Sequence, residues 1–215
     1  MNIGFIGFGN MAQAIAEGLI YKNALLSNQI YACSKNWDKL CNNTLAKGFN
    51  PCQDANELVE KVEMVIIAVK PHLVKEVILP IKEKLVGKIV ISVVVNYLYE
   101  QYEEILEKGT HHLSILPNTP ISVGEGIVIC EHKHSLSDSE LNAFINLFSQ
   151  VALIEKVDTN NFGVAGTISG CGPAFTCLYI EALSDAAVMH GLPRELSYKL
   201  ASQMVVGTAK MQLIN

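Results

Sequence analysis

The sequence predicts a doubly wound, mainly parallel α/β domain over residues 1–158, followed by an all-helical domain over residues 159–215. Three observations point there. Strand and helix signals alternate from Ile3 to Val157. The run Met64-Val65-Ile66-Ile67-Ala68-Val69 is continuously apolar, as a central strand covered on both faces requires. After Asp158 no strand signal remains, only apolar residues at helical spacing.

The elements follow in order. Ile3 to Ile6 is a short strand, and Asn10 to Tyr21 carries a helical stripe of Met11, Ile15 and Leu19. Gln29 to Cys33 is the second strand. Trp37 to Lys47 reads as a helix stopped by Gly48, and Asn56 to Lys61 as a short one. Pro71 suits the first turn of the helix after the apolar run, and Pro80 must end or kink it. Lys88 to Val95 is a further strand, and Tyr97 to Lys108 a helix before Gly109. Strands near Leu113 to Leu116 and Ile127 to Cys130 precede a helix from Ser137, which forms a capping box with Glu140. Ala152 to Val157 is the last strand. In the second domain Phe175, Leu178, Tyr179, Ala182, Leu183 and Ala186 keep helical spacing. Gly191 stops that helix, and Pro193 starts another that carries Leu196, Leu200, Met204 and Met211. These apolar faces exceed what one helical pair can bury, so a second copy of the chain is expected to cover them.

Composition narrows the function. Half of the residues are hydrophobic, 17% are charged and the net charge is −5, which argues against a nucleic-acid surface. Arg194 is the single arginine, so lysines and backbone amides must hold any phosphate or carboxylate. The six cysteines lack metal-ligand or redox spacing and read as free thiols in a reducing compartment. Met1-Asn2 leads straight into the first strand without a cationic stretch, and a cytoplasmic protein is expected. Thr159 to Ile180 has no charge. Its four glycines and Pro173 suit a buried helical segment better than a membrane span. His132 and His134 have no third ligand beside them, and no metal is expected.

The strongest local signal is Gly7-Phe8-Gly9-Asn10-Met11-Ala12, placed between a strand and a helix. Gly7 permits the tight turn, Gly9 lets a pyrophosphate approach the backbone, and Ala12 keeps helix and strand close. This is the fingerprint of a Rossmann-type dinucleotide-binding domain. The second strand ends Ala32-Cys33-Ser34-Lys35-Asn36, without the acid that would bond a ribose 2′-hydroxyl. Ser34 and Lys35 suit a 2′-phosphate instead, so NADP(H) is expected ahead of NAD(H). Val69-Lys70-Pro71 lies at the end of the apolar strand, where open α/β sheets bind ligands.

Four stretches together resemble the pyrroline-5-carboxylate reductase family. They are Gly4 to Ala12, Ala68-Val69-Lys70-Pro71, Pro117-Asn118-Thr119-Pro120 with Gly124 and Gly126, and Ser169-Gly170-Cys171-Gly172-Pro173-Ala174-Phe175 with Gly191-Leu192-Pro193 after it. The resemblance implies a Rossmann domain followed by a helical domain that interlocks with a second subunit, as a homodimer or higher oligomer. It implies hydride transfer from NAD(P)H to the C=N carbon of 1-pyrroline-5-carboxylate, giving L-proline, a small-molecule reaction without metal or protein nucleophile. By this resemblance Ile6, Gly7, Phe8, Gly9, Asn10 and Met11 hold the pyrophosphate. Ser34, Asn36 and Asn56 face the adenosine half, with Lys35 beside them. Ala68, Val69, Lys70 and Pro71 follow the nicotinamide ribose. Asn118, Ser169 and Gly170 belong to the substrate side, and Ser169 to Pro173 open a helix there. No residue is assigned an acid–base role.

The chain departs from the family pattern in places. Val94-Val95-Asn96 stands where the family has Ala-Ala-Gly, Ser114 or a neighbour replaces an arginine, and Cys171 replaces a serine. Gly163 and Gly166 stand in place of an aspartate and a threonine. The family pattern continues through a Ser-Pro-Gly-Gly-Thr segment that residues 1–215 do not contain, and the helical pattern at Asn215 has no stop signal. On these grounds the chain is expected to bind NADPH and to reduce the imine poorly. Two other readings compete. A β-hydroxyacid dehydrogenase needs a lysine after the glycine-rich helix start, and Phe175 to His190 has none. A non-catalytic dinucleotide-binding homologue would fit the departures, and cofactor oxidation with the cyclic imine separates it from the enzyme.

Overall fold

A computed structural model describes residues 1–214. It divides into two compact units, one from Met1 to Gly170 and one beginning at Cys171.

The first unit is built on an eight-stranded sheet in the order β3-β2-β1-β4-β5-β6-β7-β8. The strands are β1 (Ile3–Ile6), β2 (Ile30–Cys33), β3 (Asn50–Pro51), β4 (Met64–Ile67), β5 (Ile89–Ser92), β6 (His111–Pro117), β7 (Gly126–Glu131) and β8 (Ala152–Val157). All neighbours pair in parallel except β6 and β7. The pleat sends alternate side chains to opposite faces. Ile3, Phe5, Met64 and Ile66 join one core with α1 (Asn10–Tyr21) and α6 (Asp138–Phe148). Ile6, Val65 and Ile67 join the other with α3 (Ala55–Lys61) and α4 (Val74–Ile78). The predicted fold class therefore holds.

Local signals hold where side chains satisfy the helix ends. Asn36 accepts from the Lys39 amide at the start of α2 (Trp37–Thr44), and Asp54 from the Glu57 amide at the start of α3. Ser137 and Glu140 form the predicted box on α6. Gly48 ends the α2 segment at φ +73. Pro80 stands inside a 3₁₀ stretch that follows α4.

Three elements differ from expectation. The helix expected over 97–108 shrinks to α5 (Tyr99–Glu103), which is tied to the sheet by side chains. Tyr102 donates its hydroxyl proton to Ser92 Oγ at 2.7 Å, and Glu103 Oε1 lies 2.7 Å from Nε2 of the buried His112. The strand expected over 88–95 ends at Ser92. β3 is two residues long and contains a proline, too little pattern to read.

α1 packs on the 3₁₀ turn Thr119–Val123 with no room to spare. A Cβ on Gly18 would stand 2.0 Å from the Ile121 carbonyl oxygen. The helix thereby fixes the Pro117-Asn118-Thr119-Pro120 segment.

In the second part of the chain α7 (Thr159–Met189) is one helix with Pro173 inside it. Its opening turns, Thr159 to Gly170, belong to the first unit. The expected helix start at Ser169 to Pro173 thus lies within α7, not at its beginning. The second unit holds the rest of α7 and α8 (Arg194–Ile214). Phe175, Leu178, Leu200 and Met204 are exposed, and Phe175, Tyr179, Met204 and Val205 line an open groove of about 430 Å³. By length and mean hydropathy (1.2) α7 resembles a membrane span, which is weak grounds for one helix alone.

Gly18→Ala is expected to force backbone apart rather than a flexible side chain, at a cost of about 1–3 kcal/mol or more. Thermal unfolding reads this as roughly 2–4 °C per kcal/mol for a chain of this size. An unchanged Tm would show that α1 and the 119–123 turn can separate freely.

Candidate dinucleotide-binding site

Strand order reverses between β1 and β4. The strands that follow β1 in the chain lie on one side of it, and β4 and its successors lie on the other. The crevice at the carboxyl ends of these two strands is where open α/β sheets bind ligands. The residues there are locked together by backbone. The Gly7 amide donates to the Cys33 carbonyl at 2.9 Å, and the Ala68 amide to the Ile6 carbonyl at 2.8 Å. Gly7 has φ +90, and a Cβ on it would lie 2.6 Å from the Ala68 carbonyl oxygen. Both the conformation and the close approach demand glycine.

Gly9 differs in kind. Its backbone is extended, with φ −83, and a Cβ there would meet no protein atom within 4 Å. Its freedom faces the crevice, so its smallness serves whatever enters. Gly9 is the N-cap of α1, no side chain caps that end, and its first turn has no acid. The free amides and the helix dipole therefore remain available to an anion.

Two cavities meet at Gly7 and Leu73, which line both. The larger, about 690 Å³, is lined by Gly7, Phe8, Gly9, Asn10 and Met11 on one side, and by Ala68, Val69, Lys70 and Pro71 on the other. It thus unites the two stretches that the sequence assigns to pyrophosphate and nicotinamide ribose, and adds Thr119, Val93 and Val95. The second, about 350 Å³, is lined by Ile6, Ser34, Lys35 and Asn56 together with Gln53, Asp54 and Glu76. Lys35 is its one cation among the described residues. Asp54 is committed to capping α3, and Ser34 donates to the Asn36 carbonyl at 3.3 Å. Asn36 does not line either cavity, since its side chain caps α2. Glycine turn, uncapped helix end and two adjoining cavities fit an elongated dinucleotide.

Cys33 lines the smaller cavity, and the buried Cys52 lies near it. Burial, with Cys52 beside it, pushes the Cys33 thiol up to about 12. Burial followed by the Glu57 carboxylate pushes Cys52 up to about 11.

The expected substrate residues lie elsewhere. Asn118 and Ser169 are both buried. Asn118 Nδ2 donates to the Ser169 carbonyl at 2.9 Å, and its Oδ1 accepts from the Ile127 amide at 2.9 Å. Ser169 Oγ donates back to the Gly166 carbonyl at 3.4 Å, while Gly170 is exposed. Ser114, in the arginine's expected place, is buried with its hydroxyl 3.4 Å from the Tyr97 carbonyl. Asn96, where the family has glycine, adopts φ +57, a left-handed conformation that asparagine tolerates better than most side chains.

Val93, Asp54 and Glu76 are cavity residues that sequence reasoning did not single out. Thr119 and Val95 also line the larger cavity, and each stood in a quoted stretch, Pro-Asn-Thr-Pro and Val94-Val95-Asn96.

Residues 2–96 match the family model described as NADP oxidoreductase, coenzyme F420-dependent. Residues 159–215 match that for pyrroline-5-carboxylate reductase dimerisation. The chain is 41% identical to the pyrroline-5-carboxylate reductase of Treponema pallidum (strain Nichols), over 98% of this chain and 81% of that protein. It also resembles the crystal structure of the Plasmodium falciparum pyrroline carboxylate reductase with NADP bound. There the TM-score is 0.86 and the identity 29%, covering 98% of this chain and 78% of the other. The pyrroline-5-carboxylate reductase from Coxiella burnetii gives a TM-score of 0.84 at 32% identity, over 100% and 80% of the two chains. With crevice, glycine turn and helical region all matched along its length, the chain belongs to the pyrroline-5-carboxylate reductase family.

Proposed function

We propose that the chain reduces 1-pyrroline-5-carboxylate to L-proline with a nicotinamide dinucleotide. The observation that carries the reading is the pair of cavities meeting at Gly7, on a chain similar along its whole length to reductases of this imine. When bound, the reduced nicotinamide supplies a hydride to the C=N carbon, and the imine nitrogen gains a proton.

The chain's own residues bind and orient. Ile6 to Met11 cradle the pyrophosphate on backbone amides at the N-terminus of α1. Ala68, Val69, Lys70 and Pro71 flank the nicotinamide ribose, with Val95 and Thr119 closing the larger cavity around the ring. Ser34, Lys35 and Asn56 hold the adenosine end, with Asn36 shaping that turn through its cap on α2. Asn118, Ser169 and Gly170 form the substrate side: Gly170 is exposed there, and the buried Ser169 and Asn118 support that turn from within. Residues 1–158 serve as the dinucleotide domain and 159–215 as the substrate and dimer domain. The family models matched at 2–96 and 159–215 support that division. The protein works as a soluble, cytoplasmic homodimer or higher oligomer.

NADP(H) is the preferred cofactor. Lys35 places a positive charge in the smaller cavity and Ser34 offers a hydroxyl, while one of that cavity's acids, Asp54, accepts from the Glu57 amide of α3. The NADP in the related Plasmodium falciparum structure is in keeping with this. A β-hydroxyacid dehydrogenase reading has no lysine on α7 to carry it.

The decisive assay follows NADPH absorbance on addition of the cyclic imine, with Gly9→Val as control. That variant is expected to fold, because its Cβ meets no protein atom, and to lose NADPH binding and turnover together. Cofactor binding without imine-dependent oxidation by the wild-type chain would favour the non-catalytic homologue.

Lys35→Ala should narrow the NADPH-over-NADH preference by roughly tenfold to a hundredfold, the ~1.5–3 kcal/mol of hydrogen bonds to a charged group. It should also flatten the salt dependence. A variant that keeps its full preference would exclude Lys35 as the 2′-phosphate contact.

Light scattering at low micromolar concentration should give at least twice the 23.5 kDa of one chain. A clean monomer would leave the exposed faces of α7 and α8 unexplained.

A further inference from the structure

We infer that Asn118 is a positioning residue: its side-chain amide takes the place of the backbone donor that Pro173 denies to Ser169, and so holds the substrate-facing turn of α7 to the wall of the cofactor cavity. The inference rests on the reading of the Ser169–Gly170 turn as part of the substrate side.

The argument begins in α7. A helix interior bonds each carbonyl to the amide four residues later. Pro173 has no N–H to give, and the carbonyl four residues before it is that of Ser169. Ser169 is 4% exposed, so water is a poor substitute. Asn118 Nδ2 donates to this same carbonyl at 2.9 Å. A break in one element is thus mended by a side chain from a distant turn.

Asn118 is itself held rigidly. Its Oδ1 accepts from the Ile127 amide at 2.9 Å, its own amide donates to the Ile127 carbonyl at 3.2 Å, and its carbonyl accepts from Ile121. The next residue, Thr119, lines the larger cavity with Lys70 and Val95. One buried amide therefore links β7, the cavity wall and the Ser169 turn.

The helix presents a matching face. Phe162 and Ser169 are buried, and between them Gly166 packs on the Leu116 side chain of β6, whose Cδ1 a Cβ would approach to 2.4 Å. Residues spaced by four and three share one helix face. The small residue sets how near the helix lies, and the Asn118 bond sets its axial position. Glu131 fixes the start of the same helix by accepting from the Thr159 hydroxyl at 3.0 Å.

The test is a double-mutant cycle of Asn118→Asp and Pro173→Ala on the full chain. Asn118→Asp keeps the acceptor for Ile127 and removes the donor for Ser169. Pro173→Ala restores a backbone N–H in the position to reach Ser169. Four quantities are read: Tm, the NADPH dissociation constant, KM for the imine, and L-proline binding to the NADP⁺-loaded chain. Asn118→Asp alone should raise KM and the proline dissociation constant at least tenfold while leaving NADPH binding within twofold. In the Pro173→Ala background its effect on Tm and on proline binding should shrink severalfold. Equal losses in both backgrounds would overturn the inference, as would a lower Tm with unchanged KM and proline binding. A wild-type chain that neither reduces the imine nor binds proline would overturn the substrate reading, and this inference with it.

Discussion

The structure turns on one contact, the backbone of Gly7 against the carbonyl of Ala68. Three strand ends meet there: β1 supplies the turn, β2 receives its amide at Cys33, and β4 presses its carbonyl onto the α-carbon. Any side chain at Gly7 would both leave its favoured φ range and displace β4. Because β1 and β4 straddle the reversal of strand order, this contact also sets the width of the crevice between them. The α1 amides, the Lys70 segment and the smaller cavity all take their positions from it. Gly18 carries the same constraint to the other end of α1, where Ile121 fixes the Asn118 turn. The larger cavity and the Ser169 turn are therefore linked through α1, which meets a close neighbour at Gly18 and begins beside Gly7.

What was legible in the sequence was local. Glycine turn, β1 and α1 could be read because the chemistry of each sits within a dozen residues. The capping box at Ser137 and the stop at Gly48 were legible for the same reason. The 97–108 segment has helical apolar spacing, yet Tyr102 and Glu103 bond to Ser92 and His112 on neighbouring strands, and only a short helix survives. The family resemblance implies a helix start at Ser169 to Pro173, whereas α7 runs through that stretch. Nothing near it in sequence reveals the outside donor at Asn118 that lets α7 continue.

The departures from the family pattern sort by geometry. Asn96 keeps the left-handed backbone that a glycine would have and adds a side chain that tolerates it. Val95 places extra bulk in the cavity wall, while Val94 is buried and alters the core alone. Ser114 cannot replace an arginine's reach, since its hydroxyl is turned to the Tyr97 carbonyl. Gly166 has exchanged a side chain for closeness to β6, an exchange that suits a helix held by a buried amide.

The buried thiols at and near the smaller cavity, Cys33 and Cys52, bear on how the protein ages. Cysteine attacks oxidants and electrophiles as its anion. With Cys33 at about 12 and Cys52 at about 11, almost none of either is ionised at neutral pH. Peroxide and alkylating metabolites therefore find almost no thiolate at either position. Cys171 and Cys177 are exposed on α7. Thiol oxidation should reach that helix before it reaches Cys33 or Cys52.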